Sequence, residues 1–161
     1  MKNKSAIVVC GDPKSTFNEI LIKTLKNKIL KTIKFPIIII CSKQLFNNEL
    51  KKMKTKIDIQ NFEDQNKLHK NTIYILDIPL DLKKTSLKKE NSYIKKSFEV
   101  GLNLLKKKNS IGFINGPISK TNFLKGKYDG ITEFLAFKTK TYNEVMLIFN
   151  KKLSVSPITT H

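Results

Sequence analysis

Arginine is missing from this chain: all 31 basic side chains are lysine, set against 13 acidic ones for a formal net charge of +18. That imbalance invites a nucleic-acid reading, and the missing arginine argues against it. Readers of phosphate and guanine favour the planar guanidinium fork, which grips both bidentately. The lysines are spread over the predicted helices, and isoleucine and asparagine are abundant as well, the bias of an AT-rich coding sequence. The charge therefore reads as solvated surface, with no nucleic-acid partner.

Long apolar runs are also lacking. No stretch reaches eighteen residues, which excludes a spanning helix. The apolar run after the basic N-terminus, Ala6 to Cys10, is too short for a signal peptide. We expect a cytoplasmic protein without a membrane partner. The two cysteines, Cys10 and Cys41, each close an apolar run and are too far apart for a C-x-x-C metal motif. In a reducing compartment they are expected to be free thiols packed at strand ends. Glycine is sparse, and without a G-x-G-x-x-G pattern a standard Rossmann dinucleotide loop is not indicated. Internal repeats and linker-like stretches are absent too.

What is present is an alternation of apolar runs and helical patterns. Ser5–Cys10 is a compact strand that turns at Gly11-Asp12-Pro13. Ser15 or Thr16 can cap the next helix, with Glu19 completing a capping box from Thr16. Phe17, Ile20, Leu21, Leu25, Ile29 and Leu30 follow helical spacing. Ile37–Cys41 is a β-branched run of the kind covered on both faces. Lys43–Met53 reads as a helix, Ile57–Ile59 as a short strand, Asn61–Asn71 as a loop and Thr72–Leu76 as a strand. Pro79 makes the following segment an extended loop. The longest helix is placed at Asn91–Lys108 with Ser92 as its cap. Strands alternating with helices predict an α/β protein with a mostly parallel sheet flanked by helices.

The last third carries the candidate chemistry. Ser110–Asn115 reads as a buried strand that runs into Gly116-Pro117, and Ser119-Lys120 opens a short helical segment. Gly126 and Gly130 bracket a turn, and Thr132-Glu133 starts another helix. Val145–Phe149 and Leu153–Ile158 read as further strands, the second delivering Thr159-Thr160-His161. Ligands of open α/β sheets collect outside the carboxyl ends of the strands. Asn115 to Lys120, Thr132 and His161 are therefore expected to converge on one cleft, with Asp12 near its rim. Thr132 is either a helix cap or a phosphate contact. Lys120 can present a charge to phosphate or carboxylate, set apart from the other lysines only by position. His161 can offer a neutral imidazole to a divalent metal, though it is also the last residue of the sequence. His69, flanked by lysines, reads as a surface residue.

Three stretches carry a resemblance: Asn115-Gly116-Pro117-Ile118-Ser119-Lys120, Gly130-Ile131-Thr132-Glu133-Phe134-Leu135-Ala136, and Thr159-Thr160-His161. Together they resemble the 4-hydroxythreonine-4-phosphate dehydrogenase family of pyridoxal phosphate biosynthesis. Gly11-Asp12-Pro13, with Asn18-Glu19 downstream, is similar to that family's first βα turn. The resemblance implies a fold like that of isocitrate and isopropylmalate dehydrogenases, here incomplete. It further implies an NAD- or NADP-dependent enzyme with a divalent metal (zinc, cobalt or magnesium) held by histidines, and a homodimer with its active site at the interface. The substrate would be a small phosphorylated amino acid, 4-phosphohydroxy-L-threonine, oxidised to the 3-oxo acid and then decarboxylated.

Residue by residue, His161 matches the family's first metal histidine and Thr132 its phosphate-binding threonine. The position before Thr132 is a histidine in the family and Ile131 here, so half of the phosphate contact is changed. The family's other two metal histidines lie further along its sequence, and His69 matches neither. Residues 1–161 are therefore expected to be the N-terminal portion of a longer two-domain dehydrogenase, inactive alone, with no internal boundary and no catalytic or cofactor residue identified. Two alternatives stay open: a related metal-dependent dehydrogenase acting on another phosphorylated or carboxylated substrate, and a non-enzymatic basic module that binds polyanions.

Overall fold

The computed structural model describes residues 4–26, 32–107 and 109–157. They fall into two compact units, Met1–Ile118 and Ser119–His161. The first is an α/β unit. Its described strands are β1 (Ser5–Val9), β2 (Ile37–Cys41), β3 (Gln60–Asn61), β4 (Ile73–Asp77) and β5 (Ser110–Asn115), in the order β3-β4-β2-β1-β5. Every pairing is parallel. The helices are α1 (Phe17–Lys26), α2 (Lys43–Lys52) and α3 (Leu87–Lys106). No described helix is long and apolar enough to cross a membrane.

Strands β1 and β2 are buried along their whole length, as their unbroken apolar runs require. On one face Val8, Cys10, Ile37, Ile39, Cys41, Ile73 and Ile75 pack with Ile22 and Leu25 of α1 and Phe46 of α2. The opposite face meets α3, where Phe98 packs against Phe113 of β5 with ring centroids 6.1 Å apart. A Cβ at Gly101 of α3 would come within 2.8 Å of Phe113 and Val9, so helix and sheet approach closely there.

Several expectations shift. Ile20 is exposed and Ile22 buried, so α1 presents a face rotated from the expected one. The short strand falls at Gln60–Asn61 and not at Ile57–Ile59. Helix α3 begins at Leu87, capped by Ser86, whose hydroxyl accepts from the Lys89 amide; Ser92 lies inside the helix. Strand β5 has the expected bounds, but it is an edge strand with Ile111 and Ile114 exposed.

The second unit holds a one-turn π segment at Lys120–Leu124 and α4 (Ile131–Thr139). Phe134 is its anchor, edge-on to the rings of Phe123 and Tyr128 at 5.5 Å each. Among the described residues, neither of the expected strands Val145–Phe149 and Leu153–Ile158 joins the parallel sheet, and Ile158 lies outside the described residues. Among the described residues this segment shows one isolated antiparallel bridge, Ile148 to Val155, and Val145, Leu147 and Phe149 are exposed. Their apolar runs read locally as strands, but strand pairing needs neighbours, and among the described residues the Ile148–Val155 bridge is the one pairing seen here.

Candidate functional site

The crossover direction of the sheet reverses at β1: β2 lies on one side of it and β5 on the other. In open α/β sheets this is where a ligand crevice forms. Here the space just beyond the two strand ends is taken up by backbone. The Gly116 amide donates to the Val9 carbonyl at 2.7 Å, and the Asp12 amide donates to the Pro117 carbonyl at 2.8 Å. Gly11 stands at φ +73°, and a Cβ at Gly116 would overlap the Cys10 carbonyl. The two turns are zipped together by glycines that let the backbones touch.

The first turn is held from within and from α3. Asp12 Oδ1 accepts from the Lys14 amide at 2.8 Å, and the Ser15 hydroxyl donates to the Asp12 carbonyl at 2.8 Å. Ser15 Oγ in turn accepts from the Phe17 amide, while the Thr16 carbonyl takes the first helical bond, from the Ile20 amide, and Glu19 pairs with Lys23 at 2.6 Å and forms no capping box. Lys14 Nζ reaches the buried Glu90 carboxylate of α3 at 2.7 Å. Asn18, in the first turn of α1, keeps a buried Oδ1 with no hydrogen-bond partner among the described residues. Asp12 is thus a partly buried turn residue at the carboxyl edge of the sheet.

Further along this edge, the ends of β2 and β4 are joined by side chains that sequence reasoning passed over. The Ser42 amide donates to the Tyr93 hydroxyl at 3.1 Å, and Asp77 Oδ1 accepts from the Lys43 amide at the start of α2 at 2.8 Å. The Cys10 and Cys41 thiols touch in the core beside them. Their mutual hydrogen bond, then burial, hold the Cys41 thiol well above the ordinary range, and burial does the same for the Tyr93 phenol. Both are neutral packing groups. Beyond the end of β4 lies an open cleft of about 540 Å³ walled by Pro79, Asp81, Lys84, Lys89, Ser92 and Lys96, among others. Three ammonium groups against one carboxylate give it a positive potential suited to an anion. The signal for it was in the sequence, since Ile78 to Asp81 directly follows a strand end.

In the second unit, Lys120 is exposed in the π segment, and the Ser119 hydroxyl caps that segment by accepting from the Asn122 amide at 3.1 Å. Ile131 and Thr132 are the first two residues of α4, and the cap position is Gly130, which has no side chain to offer. Thr132 is therefore not the cap. The first helical bond is Phe134 to the Gly130 carbonyl, which leaves the preceding amides free of helical partners. A Cβ at Gly130 would come within 2.9 Å of Glu133 Oε2, so a carboxylate already lies over this helix start. Thr159, Thr160 and His161 lie outside the described residues. Asn115 and Pro117 belong to the first unit, and Lys120 and Thr132 to the second.

His69 is exposed, with its amide bonded to the Tyr74 hydroxyl at 3.0 Å, as a surface residue should be. Among the described residues no three His, Cys, Asp or Glu side chains gather in a way that could hold a metal ion. The described part of this chain therefore does not by itself provide the metal centre that the resemblance implies.

Known proteins share this fold. The family model for the pyridoxal phosphate biosynthetic protein PdxA matches residues 33–161. A 4-hydroxythreonine-4-phosphate dehydrogenase of Sulfurihydrogenibium sp. (strain YO3AOP1) is 28% identical over 158 residues, covering 96% of this chain and 48% of the relative. Crystal structures of 4-hydroxythreonine-4-phosphate dehydrogenases share the fold. The one from Burkholderia phymatum superposes with a TM-score of 0.79 at 20% identity, over 99% of this chain and 50% of that one. The one from Klebsiella pneumoniae gives 0.79 at 23% identity, over 95% and 50%. The chain thus spans about half the length of the relatives it matches. With the family model running through β2, α2, α3, the turn after β5 and α4, the chain belongs to the family of the pyridoxal phosphate biosynthetic protein PdxA.

Proposed function

We propose that this chain works as part of a 4-hydroxythreonine-4-phosphate dehydrogenase, an oxidoreductase of pyridoxal phosphate biosynthesis. The observation that carries the reading is the family match over residues 33–161. The substrate is 4-phosphohydroxy-L-threonine. Its secondary alcohol gives up a hydride to NAD or NADP and a proton to solvent, and the resulting 3-oxo acid loses carbon dioxide. A divalent metal, with His161 as one of its ligands, supplies Lewis-acid polarisation when bound. Thr132 and the free amides at the start of α4 receive the substrate phosphate, and Lys120 adds positive charge. The working assembly is a homodimer in the cytoplasm.

One observation favours a second reading of the substrate. The first residue of α4 is Ile131, which has no donor for phosphate, and Glu133 lies over the same helix start. A related phosphorylated or carboxylated hydroxy acid fits that change. The test is NADH formation by this chain co-expressed with the remaining half of the Sulfurihydrogenibium relative. Turnover of 4-phosphohydroxy-L-threonine, and none of the unphosphorylated amino acid, is the expected result. Equal rates on both, or none with either nucleotide, would overturn the assignment.

A further inference from the structure

The cleft beyond the end of β4, about 540 Å³, falls in the size range of small-molecule sites, and both of its walls are braced. One wall is the loop after β4. The Ile78 amide donates to the Cys41 carbonyl at 2.9 Å, and the buried Ser42 hydroxyl donates to the Leu80 carbonyl at 3.4 Å. The other wall is α3. Its buried Glu90 carboxylate holds Lys14 at 2.7 Å, and its Tyr93 hydroxyl accepts from the Ser42 amide at 3.1 Å. Loop and helix are thus both fastened to Ser42 at the end of β2. Lys89 Nζ joins them again by donating to the Lys84 carbonyl at 3.0 Å. A site whose walls are already fixed loses little freedom when a ligand enters.

The lining mixes chemistries that a simple anion does not use. Lys89, Ser92, Tyr93 and Lys96 recur at helical spacing on one face of α3, and Lys84 adds a third ammonium group from the loop. Ile78, Leu80 and Tyr93 are buried and give the cleft an apolar floor, with the Pro79 ring beside them. The Asp81 carboxylate lines the same space, with Oδ1 accepting from the Lys83 amide at 2.9 Å. A bare phosphate gains nothing from the floor and is repelled by Asp81. A ligand that carries a phosphate, hydroxyl donors and a flat apolar part uses all three features. Carboxylates accept from ribose hydroxyls in nucleotide sites, and ammonium groups bind phosphate by charge-assisted bonds.

We propose that this cleft binds a nucleoside 5′-phosphate unit, its phosphate against Lys84 and Lys89, its ribose hydroxyls against Asp81 and its base on the apolar floor. Lys96 stands two helical turns from Lys89, about 10 Å along the axis, and extends the positive potential toward further phosphates. The same unit occurs in free mononucleotides and in a nicotinamide dinucleotide. With a dinucleotide, the inference rests on the proposed dehydrogenase reading and gives its cofactor a place on this chain. With a mononucleotide it is independent of the reaction.

Calorimetric titration of this chain with adenosine 5′-monophosphate tests the proposal, alongside inorganic phosphate, adenosine and NAD. The monophosphate should bind one-to-one with a Kd below about 1 mM, and inorganic phosphate and adenosine about tenfold more weakly or worse. Amide NMR shifts should fall on Ile78 to Lys84 and on Lys89 to Lys96. Lys89→Gln should weaken the monophosphate by about fivefold or more. Asp81→Asn, which keeps an acceptor for the Lys83 amide, should erase the preference for the monophosphate over its 2′,3′-dideoxy analogue. NAD that shifts the same amides and binds at least as tightly as the monophosphate identifies part of a dinucleotide as the occupant. Weaker NAD binding identifies a free mononucleotide. Three results would overturn the proposal. They are no binding of monophosphate or NAD up to about 5 mM, equal affinity for inorganic phosphate, or shifts confined to other residues. Binding is read without turnover, so a filled cleft with no reaction counts against the dehydrogenase reading alone. An empty cleft in an assembly that turns over counts against the cleft alone.

Discussion

Gly116 shows how a single residue closes the switch point of the sheet. Its hydrogen-bonded turn lies directly on the Cys10 carbonyl, so an added methyl meets backbone, which cannot swing aside as a side chain would. Gly116→Ala should cost about 3 kcal/mol, read as a lower urea midpoint at unchanged slope. A loss under about 0.5 kcal/mol would mean that the turns are not zipped. Cys41 makes a pH-dependent prediction. Its folded pKa is raised, so the native thiol keeps its proton where the unfolded thiol, near about 8.5, has lost it. That contribution is complete below the unfolded value and is lost as pH climbs above it. Between about pH 8.5 and 9.5 the unfolding free energy should fall more steeply in the wild type than in Cys41→Ser, by up to about 1.4 kcal/mol per unit. Parallel slopes would contradict the buried thiol pair. At Ile131 the expectation concerns affinity. In the co-expressed assembly Ile131→His should lower the Michaelis constant for 4-phosphohydroxy-L-threonine, and Thr132→Val should raise it. An Ile131→His variant that binds no better would point to the alternative substrate.

At the scale of elements, the sequence was most legible where burial is complete. Strands β1 and β2 announce themselves by unbroken apolar runs, as does the buried first part of β4, because a strand covered on both faces needs no polar alternation. The first turns of α3 are polar and lysine-rich, so periodicity hides them until Tyr93, and the cap at Ser86 was missed in favour of Ser92. Tertiary contact explains why α3 starts early: Glu90 in its first turn is buried and bonded to Lys14 of the β1–α1 turn. That pair joins two elements no local pattern connects. Lys14→Met should leave a buried carboxylate unpaired, costing about 1–2 kcal/mol once the exposure of Lys14 is allowed for. Adding Glu90→Gln should restore part of the loss, and a double-mutant cycle measures how much. Simple additivity would mean that the contact does not hold the turn. The segment from Val145 to Val155 failed for the opposite reason. Its apolar pattern is real, but pairing and burial depend on neighbours that local sequence cannot supply.

For the whole molecule, the parallel sheet was legible in the order of its strands, and the edge that carries Asp12 and Asn115 followed from topology. The joint cleft of Asn115, Thr132 and His161 remains an expectation, because those residues fall in two units and beyond the described residues. The charge belongs to this scale as well. An excess of lysine gives +18 on 161 residues, and the ion pairs seen between described residues are mostly local pairs on helices. Self-repulsion of this size opposes compaction, and salt screens it over a Debye length of about 10 Å at 0.1 M. The melting temperature should therefore climb by several degrees as sodium chloride rises from low to physiological levels, then level off. Pyrophosphate or heparin at matched ionic strength should do no more than the chloride if the lysines are solvated surface. A much larger shift with either polyanion, saturating at a fixed stoichiometry, would instead favour a polyanion-binding module, because a site that binds only the folded state stabilises it in proportion to occupancy. The difference between the two salt series thus separates a charge the protein merely carries from one that it uses.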